Sequence, residues 1–230
     1  MNDPATTCTR TERPYPFGAV LFDLDGVIID TTELHHRVWD TFARARGYVP
    51  SRDELLGTHG RRAEETLRLW FGEALSDGEV NELALERDTL FNRLLATEPV
   101  TAIPGLRDFL GDLRRAGVPW AIGTSAVPMN AELSLSRLGL RELFDVMVTA
   151  ADVARSKPDP EVYLKAAAAL GVPPAACLVI EDAVLGIRAA RAAGAKCLAL
   201  TTTFPPDVLR REGPDWLAED FRSLPFPASP

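Results

Sequence analysis

Lysine is almost missing from this 230-residue chain: there are three, Lys157, Lys165 and Lys196, and the other 22 of its 25 basic residues are arginines. Positive charge is short overall. Set against 33 acidic residues it leaves a net charge of −8, which excludes nucleic acid or an anionic membrane as the main partner, because counterion-driven binding would run uphill. Cysteine and histidine are equally sparse, three of each. Cys8, Cys177 and Cys197 form no C-x-x-C pair and no zinc spacing with His35, His36 and His59, so a reduced, cytoplasmic setting is expected. Cys177 and Cys197 stand in apolar runs and read as small core residues rather than nucleophiles. No run approaches the roughly 18 apolar residues of a spanning helix. Residues 1–16 are polar and proline-dotted rather than signal-like, and read as a flexible leader that contains Cys8.

What is present suits a folded chain, with 46% hydrophobic and 25% charged residues. Short apolar runs recur at Ala19 to Phe22, Val118 to Ile122, Phe144 to Val148, Cys177 to Ile180 and Lys196 to Leu200. Most are continuous rather than alternating, as a parallel sheet covered on both faces requires. Between them, Leu106 to Ala116, Met129 to Leu138, Glu161 to Leu170 and Val184 to Ala193 carry helical spacing, each followed by a glycine stop at Gly117, Gly139, Gly171 or Gly194. The alternation predicts an α/β fold, a doubly wound, Rossmann-like parallel sheet. The interval 32–100 is different: it holds no good strand, and Ser51-x-x-Glu54 and Ser76-x-x-Glu79 read as capping boxes at helix starts. It is expected to be a helical cap domain inserted into a core of residues 17–31 and 101–230, since structureless loops of that length are rare in compact domains.

The polar punctuation falls at the strand ends. Asp23-Leu24-Asp25-Gly26 follows the first strand, Gly123-Thr124-Ser125 the second, Glu181-Asp182 the fourth, and Ser156-Lys157-Pro158-Asp159-Pro160 precedes a helix after the third. Open α/β sheets bind ligands beyond the carboxyl ends of their strands, so these groups share one edge. Carboxylates crowded there repel unless a cation sits among them, and hard oxygen ligands suit Mg²⁺. With that charge neutralised, one aspartate can attack phosphorus while a second carboxylate protonates the leaving oxygen. Lys157 and Thr124 would hold the phosphoryl group. The blander alternatives are a calcium loop, for which Gly26 arrives too soon; a plain helix cap at Glu181-Asp182; a turn hydroxyl at Thr124; and a surface lysine at Lys157.

Taken in order, Phe22-Asp23-Leu24-Asp25-Gly26-Val27, Thr124-Ser125, Lys157-Pro158-Asp159-Pro160 and Glu181-Asp182 resemble the four motifs of the haloacid dehalogenase superfamily. The helical insertion is similar to the cap of its beta-phosphoglucomutase-like, sugar-phosphatase branch. The resemblance implies Asp23 as nucleophile and Mg²⁺ ligand, and Asp25 as general acid then base with its carbonyl on the metal. It also implies Thr124 and Lys157 on the phosphate, with Glu181 and Asp182 completing the metal site. Ser125, His35, Arg62 and Arg87 are expected on the substrate side. His35 is either an orienting group for Asp25 or a partly buried helix histidine, and Arg61, Arg62 and Arg87 either reach the distal end of a substrate or form solvated faces. The activity implied is Mg²⁺-dependent hydrolysis of a small phosphorylated metabolite, a sugar or polyol phosphate. The alternative is a phosphosugar mutase, which the Asp30-Thr31 hinge, His35 and Trp39 favour and the departure from the mutase pattern at Gly60-Arg61-Arg62-Ala63 disfavours. A dehalogenase has no use for the acidic pair. No nucleic acid or membrane partner is expected; oligomeric state is unread, and a monomer is compatible.

Overall fold

The computed structural model describes residues 15–226. Six strands form one parallel sheet in the order β3-β2-β1-β4-β5-β6: β1 is Ala19–Phe22, β2 Trp120–Gly123, β3 Met147–Val148, β4 Cys177–Glu181, β5 Lys196–Leu200 and β6 Trp216–Ala218. The continuous apolar runs are sorted by the twofold period of the strand. Val20 and Phe22 of β1 and Leu178 and Ile180 of β4 enter one apolar cluster, while Ala19, Leu21, Cys177 and Val179 enter another on the opposite face. Cys177 and Cys197 are buried free thiols within the second cluster.

Nine α-helices are described. α1 (Thr32–Arg44), α2 (Arg52–Leu56), α3 (Ala63–Phe71) and α4 (Asp77–Thr97) lie between β1 and β2; α5 (Leu106–Arg115), α6 (Pro128–Leu138), α7 (Glu161–Ala169), α8 (Val184–Ala192) and α9 (Pro206–Arg211) accompany the sheet. Both capping boxes form, Ser51 with Glu54 and Ser76 with Glu79. The four inserted helices have an apolar cluster of their own, built on Trp39, Phe42, Leu67, Trp70, Val80 and Ala84. α1 and α4 straddle it: Leu34, Val38, Phe91 and Leu95, from the same two helices, pack into the main core. The insertion is therefore seated on the sheet layer by two shared helices.

Several expected boundaries shift. β3 keeps only Met147–Val148, because Phe144 ends a 3₁₀ turn and its ring packs edge-on to Phe22. β2 begins after Pro119, which has no N–H for the ladder. β6 and α9 were not anticipated. Residues 1–14 of the expected leader, Cys8 included, lie outside the described residues, but Tyr15 is buried, stacked on Phe17 and edge-on to Phe109, so the last part of that leader is packed on the core.

Candidate active site

The edge where β1, β2 and β4 end gathers the polar groups, and a glycine allows it. Gly26 has φ of 75°, and a Cβ there would stand 2.0 Å from Asp182 Oδ2; the positive φ and the missing side chain let the Asp23–Asp25 loop close on the β4 end. The loop folds back on itself, with the Ile28 and Ile29 amides donating to the Leu24 carbonyl.

Asp23, Lys157, Glu181 and Asp182 are buried together. Lys157 Nζ donates to Asp23 Oδ1 at 2.8 Å and to Glu181 Oε1 at 2.7 Å. Glu181 also accepts from the Tyr163 hydroxyl at Oε1 and from the Asp182 and Ala183 amides at Oε2. Burial pushes the Asp23 carboxyl up to about 7, with Glu181 and Asp25 repelling it and Lys157 only partly compensating. Burial, Glu181 and Asp23 also drive Asp182 well above the usual carboxylate range. Asp182 Oδ2 is buried with no hydrogen-bond partner among the described residues. One oxygen each from Asp23, Glu181 and Asp182 lie within 4.8 Å of one another, a set of hard ligands that fits a divalent cation.

Asp25 is held differently. The Thr31 hydroxyl donates to its Oδ1 at 2.6 Å, and His35 Nε2 stands 3.2 Å from the same oxygen. Burial would raise this carboxyl, but His35, Thr31 and Arg87 outweigh it and hold it at about 2. Thr31 occupies the N-cap position of α1 yet makes no cap bond, its hydroxyl being turned to the site. Arg87, 5% exposed, brings Nη2 within 2.6 Å of His35 Nδ1. A guanidinium can only donate, so Nδ1 accepts, and the ring proton sits on Nε2, facing Asp25.

These groups line a cavity of about 70 Å³, with Asp23, Asp25, Thr124 and Asp182 on the sheet side and His35, Trp39, Arg61 and Asp88 from the inserted helices. Thr124 is buried, and its Oγ1 accepts from the Ala126 amide, which leaves its proton free for the cavity. Ser125 lines the cavity too, its hydroxyl spent on the Gly60 carbonyl at 2.9 Å. Arg62 departs from expectation: its Nη2 donates to the Ala150 and Val153 carbonyls, so it ties the α2–α3 segment to the chain after β3 instead of facing the cavity. Arg87 is likewise committed, to His35 and Asp88. Sequence reasoning assigned no role to Tyr163, Gly186, Asp88, Asn130 or His59. His59 lines the cavity and bonds His36 at 3.0 Å, with burial and the neighbouring imidazoles pushing it down to about 3.

Known proteins resemble the chain over most of its length. The haloacid dehalogenase-like hydrolases match residues 17–194. The validoxylamine A 7'-phosphate phosphatase of Streptomyces hygroscopicus subsp. limoneus is 35% identical over 212 residues, 92% of this chain and 97% of its own. Hexitol phosphatase A of Escherichia coli (strain K12) is 34% identical over 213 residues, 91% and 94% of the two chains. The beta-phosphoglucomutase of Clostridium difficile superposes with a TM-score of 0.78 at 27% identity, covering 89% of this chain and 92% of its own.

Proposed function

The chain belongs to the haloacid dehalogenase-like hydrolases and is a phosphoric monoester hydrolase; on that premise we propose that it cleaves a small sugar or polyol phosphate through an aspartyl-phosphate on Asp23. The observation that carries this reading is the buried cluster in which Lys157 bridges Asp23 and Glu181 while an oxygen of Asp182 has no hydrogen-bond partner among the described residues. Asp23 and Asp182, with Asp25, would hold Mg²⁺; Glu181 would give up one of its four donors to join them. When bound, the ion neutralises the crowded carboxylates and polarises the phosphoryl oxygens.

Asp23 attacks phosphorus with its second oxygen, the one Lys157 leaves free, and the bond from phosphorus to the leaving oxygen breaks. Asp25 gives that oxygen its proton. In the second half, Asp25 takes a proton from water, the water oxygen bonds to phosphorus, and Asp23 is released. The Asp25 carboxyl at about 2 is the base form as it stands; a phosphoryl dianion beside it raises its pKa and favours the acid form. Lys157 has a third N–H beyond its two carboxylate bonds, and Thr124 a free O–H; both serve the phosphoryl oxygens.

The cavity is lined from both sides, by Asp23, Asp25 and Thr124 of the sheet edge and by Arg61, Glu64 and Asp88 of the inserted helices, so a substrate has to pass between them. We therefore assign residues 32–100 the role of a cap that moves to admit substrate. The testing experiment incubates the protein and Mg²⁺ with a panel of sugar and polyol phosphates and follows free phosphate and isomerised product together. Phosphate release that a chelator abolishes and added Mg²⁺ restores is expected. Glucose 6-phosphate from the 1-phosphate with no free phosphate would favour the mutase, which shares the first step.

Arg87 supplies a separate prediction. Arg87→Met keeps the buried stem but removes the donor to His35 Nδ1, so the imidazole can place its proton there and present a bare nitrogen to Asp25. Turnover is expected to fall about tenfold, a fraction of the 10²- to 10⁴-fold of general acid–base catalysis. Steady-state kinetics on one good substrate check it, and an unchanged kcat would show that His35 holds its tautomer unaided.

A further inference from the structure

We propose that Asp88 is a specificity-determining residue: its free carboxylate oxygen accepts a hydroxyl of the substrate's carbon chain and turns away a second anionic group, so that monophosphates of sugars or polyols are taken over bisphosphates. The proposal rests on the phosphatase reading above. Asp88, on α4, lines the cavity with its side chain 13% exposed. Its Oδ1 is taken twice, by Arg87 Nη1 at 2.7 Å and by Asn130 Nδ2 at 3.1 Å. Its Oδ2 has no donor among the described residues. Asn130, buried on α6, has its own Oδ1 occupied by Asn92 Nδ2 at 2.8 Å, so its amide is oriented and cannot turn away from Asp88. The free acceptor is thus held in place before substrate arrives.

An ionised carboxylate only accepts hydrogen bonds, so a hydroxyl satisfies it and a phosphoryl dianion repels it. The charges nearby point the same way. The Arg87 guanidinium is spent on His35 and Asp88. Arg61 lines the cavity without a partner among the described residues, but so does Glu64, and the formal charges of Arg61, Arg87, Glu64 and Asp88 cancel. A second phosphoryl group wants a net cation and charge-assisted donors. Beyond Thr124 and Ser125, the core side of the cavity offers the side chains of Ala126 and Val127, which carry no donor, and of Asn130, whose amide donates to Asp88.

The test measures kcat and KM of the wild type, Asp88→Asn and Asp88→Ala with Mg²⁺ on sorbitol 6-phosphate, fructose 1,6-bisphosphate and p-nitrophenyl phosphate. The wild type is expected to prefer the monophosphate by about tenfold or more in kcat/KM. In D88N the KM for sorbitol 6-phosphate should rise about 10- to 100-fold while that for the bisphosphate does not rise, so the preference shrinks at least about tenfold. D88A should move it in the same direction, and it carries the test if D88N does not fold. A preference unmoved by either variant, with all three substrates losing rate together, would mark Asp88 as structural and overturn the proposal; so would a wild type that prefers the bisphosphate. A wild type that releases no phosphate from p-nitrophenyl phosphate removes the phosphatase reading, and this proposal with it.

Discussion

Asp23→Asn is expected to lower phosphate release by about 10⁴-fold or more, to background, while leaving the protein as stable as the wild type or more so. The first half follows from the chemistry proposed for the residue, since an amide oxygen is a poor nucleophile toward phosphorus and loss of a nucleophile is rarely compensated by its neighbours. The second half follows from the surroundings. Asp23 is 5% exposed and shares its pocket with Glu181, Asp182 and Asp25, and burial and repulsion are what push its carboxyl up to about 7. Exchanging that desolvated carboxylate for a neutral group of the same shape removes an unfavourable charge. Lys157 loses the charge of Asp23 but keeps its hydrogen bonds, because an asparagine oxygen can accept one and Glu181 at 2.7 Å remains. The pairing of lost activity with kept stability is diagnostic, since active sites commonly hold groups that oppose folding. Phosphate release and urea unfolding, measured on the same preparation, decide it. Release within about tenfold of the wild type would take Asp23 out of the nucleophile's place, and a large fall in the unfolding midpoint would show that its charge stabilises the fold.

The carboxylates and Thr124 were legible because they stand at strand ends, and Lys157, which lies between β3 and α7, because it immediately precedes Pro-Asp-Pro. Ala19–Phe22 and Lys196–Leu200 are bounded as their apolar runs suggest, and the run opened at Cys177 goes on to include Glu181. Continuous apolar stretches stopped by acid or glycine are hard to mistake in a parallel sheet. β6 and α9 escaped because three residues of strand and six of helix beginning at a Pro-Pro pair give no period to read. The supporting residues escaped for another reason. Tyr163 reaches Glu181 from α7, and Asn130 reaches Asp88 from α6; each contact joins elements that the chain brings together only after folding. Arg62 was misplaced because its partners are backbone carbonyls, which every residue has and no spacing announces.

Gly186→Ala should be among the most damaging single changes available outside the motifs. Gly186 lies inside α8, where replacing glycine by alanine ordinarily stabilises an exposed helix by about 1 kcal/mol. Here the sign reverses. A Cβ at Gly186 would fall 1.7 Å from Glu181 Oε1, 1.9 Å from its Cδ and 2.2 Å from Oε2. The carboxylate cannot yield cheaply, because Lys157, Tyr163 and the Asp182 and Ala183 amides all hold it in place. Either α8 moves off the β4 end and opens the core, or Glu181 turns away and leaves the Lys157 ammonium, a phenol and two amides short of their acceptor. Breaking a buried ion pair on one side costs about 3–5 kcal/mol, so a loss of about 4 kcal/mol or more is expected from urea unfolding, with phosphate release falling in parallel as Lys157 loses its anchor. A midpoint equal to or above the wild type's would mean that the carboxylate is not seated against α8, and that Lys157 is fixed by Asp23 alone.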